Sequence, residues 1–127
     1  MEGLGTASLT ARWSSRWAAD GAREVVFDDV HGWLTADELE GRSREVACRL
    51  DAAGLAAGDR FLVSCEPSAE LVVAYVGALR LGLVVVPVNT AYREREVAHV
   101  VGDARPSAAL VDVAERGAWV RAASGDR

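Results

Sequence analysis

The sequence predicts an α/β fold in which a short β-hairpin is followed by parallel strands that alternate with helices. Beyond residue 58, short apolar runs alternate with segments of helical period, which is the order of elements in parallel α/β sheets. These runs are apolar almost throughout, as is typical of parallel strands that helices cover on both faces. Upstream, residues 25–34 show a strand–turn–strand pattern that predicts the hairpin.

The length and composition fit one small domain with a hydrophobic core. The chain has 127 residues, of which 50% are hydrophobic, and this leaves no room for a second domain. Its formal charge of −5 argues against a nucleic-acid or anionic-membrane partner, because such partners need a basic surface. All basic residues are arginine, so lysine is absent. No secretory signal pattern stands at the start, so we expect a cytoplasmic protein.

The first predicted element is a helix over residues 8–18. Leu9, Trp13 and Trp17 recur at the i, i+4, i+8 spacing of one helical face. Asp20-Gly21 predicts the end of this helix. The stripe of large apolar side chains is therefore expected to pack against the rest of the fold.

The hairpin is predicted to pair residues 25–27 with residues 32–34. Its turn contains Asp28, Asp29 and His31, which are residue types that bind metal ions. Carboxylates in a hairpin turn also hydrogen-bond their own backbone, and no further ligands accompany these three. We therefore favour the turn interpretation over a metal site.

A capping box predicts the start of the longest helix. The hydroxyl of Thr35 and the carboxylate of Glu38 each accept a free backbone N–H in this motif, and Gly54 predicts the helix end. The residues expected on its buried face are Leu39, Ser43, Val46, Ala47 and Leu50. Three Glu-to-Arg pairs at i, i+4 spacing are expected on a solvated face rather than in a binding patch: Glu38/Arg42, Glu40/Arg44 and Glu45/Arg49.

Three strands and three helices are predicted after a turn at Gly58-Asp59. The strands are residues 61–65, 83–86 and 108–111, and the helices are residues 68–81, 93–101 and 113–121. The 18-residue apolar run at 71–88 approaches the length of a membrane helix. Arg80, Gly82 and Pro87 within this run favour a buried helix, a glycine stop and a buried strand instead.

The other candidates for chemistry are interpreted as structural residues. Cys48 and Cys65 form no CxxC or His-spaced pattern and are predicted to be buried thiols. Cys65 ends a strand, where a nucleophile could lie, but no paired base is visible. Ser68 is expected to cap the following helix. His99 is expected to pack among the neighbouring valines.

Three stretches occur in a fixed order and spacing that carries a family resemblance. They are LTADEL at 34–39, a Gly-Asp-Arg turn that feeds a strand, a loop and a helix across 54–79, and LRLGLVVVPVN at 79–89. Together they resemble the start of the adenylate-forming family, which includes acyl-CoA synthetases, luciferases and peptide-synthetase adenylation domains. Ala36 stands where the family favours tyrosine, and Arg80-Leu81 where it favours Lys-Ala. The motif residues that we expect to organise the fold are Leu34, Thr35, Glu38, Leu39, Gly58, Asp59, Gly82, Pro87 and Asn89.

The resemblance covers residues 24–112 and implies an incomplete N-terminal subdomain of the adenylate-forming fold, with residues 1–127 as one partial domain. It implies that a carboxylic acid attacks the α-phosphate of Mg-ATP to give an acyl-adenylate and pyrophosphate, and that the coenzyme A thiolate then displaces AMP to give an acyl-CoA. The family draws its catalytic groups from a loop ending in Pro-Lys-Gly, from Tyr-Gly-x-Thr-Glu and Thr-Gly-Asp motifs, and from a late lysine. None of these occurs here. We therefore assign no catalytic, cofactor-binding or metal-binding residue, and we expect the chain alone to bind no cofactor and to be inactive.

Three alternatives remain open at the level of sequence. The chain also resembles the start of a peptide-synthetase adenylation domain, which downstream sequence would distinguish. A non-catalytic interaction module or relic that needs a complementing chain is the second, because a parallel sheet cut short leaves an edge and apolar faces uncovered. Self-association or recruitment of a partner is expected in that case. The third, a nucleotide-binding half-domain, is disfavoured because no glycine-rich phosphate loop follows any strand.

Overall fold

The computed structural model describes residues 8–125, which form five helices and five strands. The helices are α1 (Leu9–Ala19), α2 (Ala36–Ala52), α3 (Ala69–Arg80), α4 (Glu94–Ala104) and α5 (Ala114–Ser124). The strands are β1 (Glu24–Asp28), β2 (Gly32–Thr35), β3 (Arg60–Ser64), β4 (Val84–Pro87) and β5 (Ala108–Val111). The predicted α/β class and the predicted order of elements are confirmed.

The carboxylate of Asp28 fixes the turn between β1 and β2 and joins the hairpin to α3. Its Oδ1 accepts hydrogen bonds from the backbone N–H groups of Val30 and His31, at 2.7 and 3.0 Å. Its Oδ2 accepts a third bond from the backbone N–H of Ala69, at 2.9 Å. These bonds, with the one from Ala69 first, hold the pKa of Asp28 well below its usual range. The turn interpretation is confirmed, and within residues 8–125 no group of three or more His, Cys, Asp or Glu side chains could hold a metal ion.

Strand β3 lies at the centre of a three-stranded parallel sheet with the order β4-β3-β5. Successive side chains of a strand face opposite sides of its sheet. Phe61 and Val63 belong to the hydrophobic cluster against α3, whereas Leu62 belongs to the cluster against α4 and α5 and is fully buried. Helices cover both faces of β3, which explains why its sequence is apolar almost throughout.

A third hydrophobic cluster joins α1, α2 and the hairpin to the outer side of α3. Trp13 and Trp17 pack against this cluster, with their ring centroids 5.9 Å apart. The predicted apolar stripe of α1 is therefore confirmed for both tryptophans. Leu9 is 55% exposed, so the prediction is wrong for this residue, which lies in the first turn of α1 beyond the packed part of the helix.

Helices α2 and α3 approach each other closely at Gly77. A Cβ atom at this position would lie 2.7 Å from the side chain of Val46 and 2.8 Å from the backbone oxygen of Ser43. These distances are too short for a real Cβ contact, so only glycine permits this approach of the two helices.

The predicted helix starts are present in the structure. Thr35 and Glu38 form the reciprocal capping box at the start of α2. The Ser68 hydroxyl accepts the backbone N–H of Leu71 at 3.1 Å and thereby caps α3. Helices α4 and α5 each run three residues past the predicted ends, because no residue at those predicted ends interrupts their hydrogen bonding.

The apolar run at 71–88 is divided between a helix and a strand, as predicted. Gly82 has a φ of 80° and separates α3 from β4, a backbone conformation that glycine adopts without strain. In the part of the chain that the structure describes, no helix is both long enough and apolar enough to cross a membrane.

Two predictions of buried helix residues are wrong. Cys48 and His99 are both exposed. Each lies two residues, or about 200° of helix rotation, from a residue that faces the interior. These neighbours are Val46 in α2 and Val97 in α4. Cys65, by contrast, is half-buried.

The three predicted Glu-to-Arg pairs of α2 make different contacts in the structure. Glu45/Arg49 forms an exposed ion pair at 2.9 Å, as predicted. Glu38 completes the capping box through the backbone N–H of Thr35. Glu40 binds Arg44 but also reaches inward to Arg80, so the prediction that it lies on a solvated face is wrong.

Candidate functional site

The strand order places a reversal in the direction of winding between β3 and β5. From β3 the chain passes through α3 to β4 on one side, and from β4 it passes through α4 to β5 on the other side. In open α/β sheets, ligands bind at the point where the direction of winding reverses, outside the carboxyl ends of the strands. The residues that follow β3, β4 and β5 are therefore the candidate site.

Arg116 of α5 links the ends of all three parallel strands. Its Nη1 donates to the backbone oxygen of Ser64 at 3.0 Å, and its Nη2 donates to the backbone oxygen of Thr90 at 3.0 Å. Nη1 also pairs with Oδ1 of Asp112 at 2.5 Å. The side chain of Arg116 is only 11% exposed, so a shielded guanidinium fixes the geometry of this edge.

Two further hydrogen bonds close the loop after β3 onto its neighbours. The backbone N–H of Glu66 donates to Oδ2 of Asp112 at 2.8 Å. The hydroxyl of Thr90 donates to the Glu66 carboxylate at 2.9 Å. The bond from the Glu66 N–H, together with Arg116, holds the pKa of Asp112 below its usual value. Asp112 is therefore a charged acceptor that holds the loop in place.

Cys65 and Ser64 lie in the middle of this edge. Burial, followed by the nearby Asp112 carboxylate, raises the pKa of the Cys65 thiol. Because the thiolate is the reactive form, this thiol is poorly suited to act as a nucleophile, which agrees with its structural interpretation. The Ser64 hydroxyl is buried and has no hydrogen-bond partner within residues 8–125.

The residues at this edge do not fit a nucleotide phosphate. The carboxylates of Glu66 and Asp112 outnumber the one guanidinium, and Arg116 is already engaged by Asp112 and two backbone oxygens. The loop after β3 runs Cys65-Glu66-Pro67-Ser68 without a glycine, and the chain has no lysine. Phosphate sites use glycine-rich backbone and lysine or arginine. No step through ATP or a metal ion follows from these residues.

The nine motif residues of the sequence resemblance lie in three separate places. Gly58 and Gly82 meet at the amino ends of the parallel strands, where the Gly58 N–H donates to the Gly82 oxygen at 2.9 Å. Both have positive φ, 91° and 80°, so this turn requires glycine at each position. Asp59 accepts the N–H of Ala56 at 2.8 Å in the same turn. The hairpin–α2 junction holds Leu34, Thr35, Glu38 and Leu39.

Only Pro87 and Asn89 of the motif residues lie at the candidate site. Pro87 ends β4, and the side-chain oxygen of Asn89 accepts the N–H of Ala91 at 2.8 Å. The polar residues that build the site were not singled out from the sequence. They are Glu66, Thr90, Asp112 and Arg116. The i, i+4 spacing of the last two, directly after a predicted strand, is the signal that could have indicated them.

Comparison with known proteins relates the sequence to a family. The sequence profile described as AMP-binding enzyme matches residues 13–126. AMB antimetabolite synthetase AmbB of Pseudomonas aeruginosa is 40% identical over 83 residues, and nonribosomal peptide synthetase acrB of Aspergillus aculeatus is 34% identical over 89 residues. The long-chain-fatty-acid–CoA ligase of Escherichia coli O6:H1 is 38% identical over 91 residues. The match to AmbB covers 65% of this chain but only 7% of AmbB. The match to acrB covers 69% of this chain and 6% of acrB. The match to the ligase covers 71% of this chain and 16% of the ligase.

A solved structure shares the fold. The crystal structure of VinN superposes with a TM-score of 0.84 at 24% identity, over 91% of this chain and 29% of that chain. The strands and helices described above are thus the arrangement found at one part of a larger protein. Because the family profile also spans residues 13–126, this chain belongs to the AMP-binding enzyme family.

Proposed function

We propose that this chain is the N-terminal part of an acyl-CoA synthetase, which converts a carboxylic acid to an acyl-adenylate with ATP and then to an acyl-CoA. The family match over residues 13–126 carries the proposal. The 38% identity to a long-chain-fatty-acid–CoA ligase supports fatty acids as the acid class. ATP, Mg and coenzyme A are proposed as cofactors and substrates of the whole enzyme, which we place in the cytoplasm.

The chain itself is proposed to supply a scaffold. It has no lysine. The residues that follow its parallel strands do not fit a phosphate, and the half-buried Cys65 is a poor nucleophile. Formation of an acyl-adenylate requires positive charge and a metal ion at the phosphates of ATP. We therefore propose that the groups that bind ATP, Mg and the acid lie in segments of the enzyme other than residues 1–127, and that this chain alone is inactive.

Activation of an amino acid for a peptide synthetase is the second candidate. The identities of 40% to AmbB and 34% to a nonribosomal peptide synthetase favour it. Both candidates share the acyl-adenylate step and differ in the acceptor, which is coenzyme A in one and a carrier-protein thiol in the other. The acid and the acceptor that distinguish the two candidates must therefore be tested directly.

The first test is ATP–pyrophosphate exchange by the purified chain with fatty acids, aryl acids and amino acids. We expect no exchange above the enzyme-free rate with any acid. Measurable exchange that survives repurification would overturn the proposal that the chain is only a scaffold.

A chimera tests the family function itself. The matching segment of the E. coli long-chain-fatty-acid–CoA ligase is replaced by this chain, and acyl-CoA formation is measured with fatty acid, ATP and coenzyme A. We expect a soluble chimera that retains acyl-CoA formation. A folded chimera that activates no acid would refute the proposed scaffold role. A control chimera that carries Leu62→Ala in the buried centre of β3 should lose activity together with thermal stability.

A further inference from the structure

Two loops at the carboxyl ends of the parallel strands lead to opposite faces of the sheet. The loop after β3 comprises residues 65–68 and leads into α3, and the loop after β4 comprises residues 88–93 and leads into α4. Helix α3 packs on one face of β3 and helix α4 on the other. Chain order alone therefore gives no reason for the two loops to move together.

The side chain of Arg116 is bonded to both of these loops. Nη1 donates to the backbone oxygen of Ser64, from which the first loop leaves β3, and Nη2 donates to the backbone oxygen of Thr90 in the second loop. The ion pair with Asp112 holds the guanidinium in place. Because this guanidinium is charged and shielded from water, its bonds to the two oxygens are stronger than bonds between neutral groups.

Two further hydrogen bonds connect the loops around Arg116. The hydroxyl of Thr90 donates to the carboxylate of Glu66 and joins the loops directly. The backbone N–H of Glu66 donates to Asp112, which precedes α5. Each loop is thus bonded to the other loop and to residues 112–116. When one loop opens, it breaks bonds that also hold the other loop, so the two openings are not independent.

We propose that the loops after β3 and β4 open and close as one unit, and that Arg116 is the residue that couples them. Local openings of this kind occur while the core stays folded. A ligand that holds one loop closed also holds the other closed, because coupling between two sites is reciprocal. This coupling does not depend on the proposed acyl-CoA synthetase function.

Cys65 is the probe for the test, because it lies in the loop after β3 and is half-buried. In a Cys48→Ser background it is the only cysteine of the chain, and its rate of alkylation by iodoacetamide in the absence of denaturant reports how often the loop opens. Asn89→Ala removes the acceptor of the Ala91 N–H in the other loop. We expect this change to accelerate alkylation of Cys65 about threefold, whereas independent loops predict an unchanged rate.

Arg116→Gln should accelerate the alkylation of Cys65 about tenfold, because it removes charged hydrogen bonds to both loops. Burial and the Asp112 carboxylate raise the pKa of the Cys65 thiol, and the Arg116 guanidinium opposes them. Loss of this positive charge would by itself slow alkylation, so an acceleration reports opening. In the Arg116→Gln background, Asn89→Ala should lose most of its effect. Arg121→Gln, an equal charge change at an exposed position of α5, should leave the rate unchanged.

Three results would overturn the coupling. They are an unchanged rate in Asn89→Ala, an equal effect of Asn89→Ala in the presence and absence of Arg116, and equal accelerations by Arg121→Gln and Arg116→Gln. If Arg116→Gln is unfolded by circular dichroism, amide hydrogen exchange of the unsubstituted chain provides the test. The N–H groups of Glu66 and Ala91, one in each loop, should show the same free energy of opening and the same urea dependence. Different values for these two groups would show that the loops open separately.

Discussion

Arg80, in the last turn of α3, forms an ion pair with Glu40 of α2 although the two side chains are only 11% and 22% exposed. The guanidinium also donates to the hydroxyls of Ser43 and Ser14, at 2.9 and 3.0 Å. It lies 5.9 Å from the ring centroid of Trp17. A planar guanidinium presents its N–H donors in a rigid fork and can stack its flat face on an aromatic ring, whereas a lysine ammonium is a compact charge without such a face. Arg80 therefore joins α1, α2 and α3 where the family motif favours lysine.

Replacement of Arg80 should destabilise the fold more than replacement of an exposed arginine. We expect Arg80→Lys to lower the free energy of unfolding by about 1 kcal/mol and Arg80→Ala by about 2 kcal/mol, because the partly buried Glu40 loses one of its two arginine partners and keeps only the exposed Arg44. Arg49→Ala, which breaks an exposed pair, should cost less than about 0.5 kcal/mol. Urea unfolding measures all three. Equal losses at positions 80 and 49 would contradict the role of Arg80.

Two glycine-to-alanine substitutions should have opposite effects. Gly77→Ala places a Cβ 2.7 Å from Val46 and should cost about 2 kcal/mol through overpacking. Gly102→Ala meets no atom within 4 Å on α4 and should stabilise by about 0.5 kcal/mol, because alanine favours the helix. Thermal melts of both variants provide the measurement, and a neutral Gly77→Ala would show that α2 and α3 are not in close contact.

The central strand should dominate the stability of the sheet. Leu62→Ala removes a fully buried side chain and should cost about 3 kcal/mol. Leu9→Ala, at a 55% exposed position, should change stability by less than about 0.5 kcal/mol. Urea midpoints at constant m-value report both effects. A loss at Leu9 as large as that at Leu62 would mean that α1 is buried in solution.

The pKa of Asp28 predicts how stability responds to acid. Its folded pKa is depressed below the ordinary value of 3.8, so the folded state binds the proton more weakly than the unfolded chain does. The contribution of Asp28 is therefore complete above its ordinary pKa and is lost as the pH falls toward its folded pKa. Asp28→Asn should lower the Tm at neutral pH and flatten its decline below about pH 4.

Asp29→Asn is the matched control for the acid response, since the neighbouring Asp29 is exposed. It should leave the Tm and its pH dependence close to those of the parent chain. Glu40 and Asp112 also have lowered pKa values, so some acid sensitivity should persist in Asp28→Asn. Identical pH profiles for the two asparagine variants would refute the anchoring role of Asp28.

Local signals in the sequence were sufficient to predict the helices, strands and turns. They could not predict contacts between residues that lie far apart in the chain. Thr35 and Glu38 lie three residues apart, so their capping box could be predicted, as could the turn at Asp28. The contact of Asp28 with Ala69 spans 41 residues, and that of Glu40 with Arg80 spans 40. Helical spacing alone predicts an exposed partner for Glu40. It cannot show that α3 packs beside this residue.

The candidate site was missed for the same reason. Asp112 and Arg116 are separated by one helical turn, but their partners Glu66 and Thr90 become neighbours only through the strand order. That order is not encoded in any one segment. The motif residues were easier to predict from the sequence, because glycine at positions 58 and 82 marks turns that other residues adopt only with strain.

The alternation of side chains along β3 affects how the chain unfolds. Phe61 and Leu62 are consecutive, yet they belong to the separate hydrophobic clusters on the two faces of the sheet. Loss of β3 would expose both clusters at once, so neither face can melt while the other keeps its native order. The fold should behave as a single cooperative unit, with a calorimetric enthalpy of unfolding equal to the van't Hoff enthalpy.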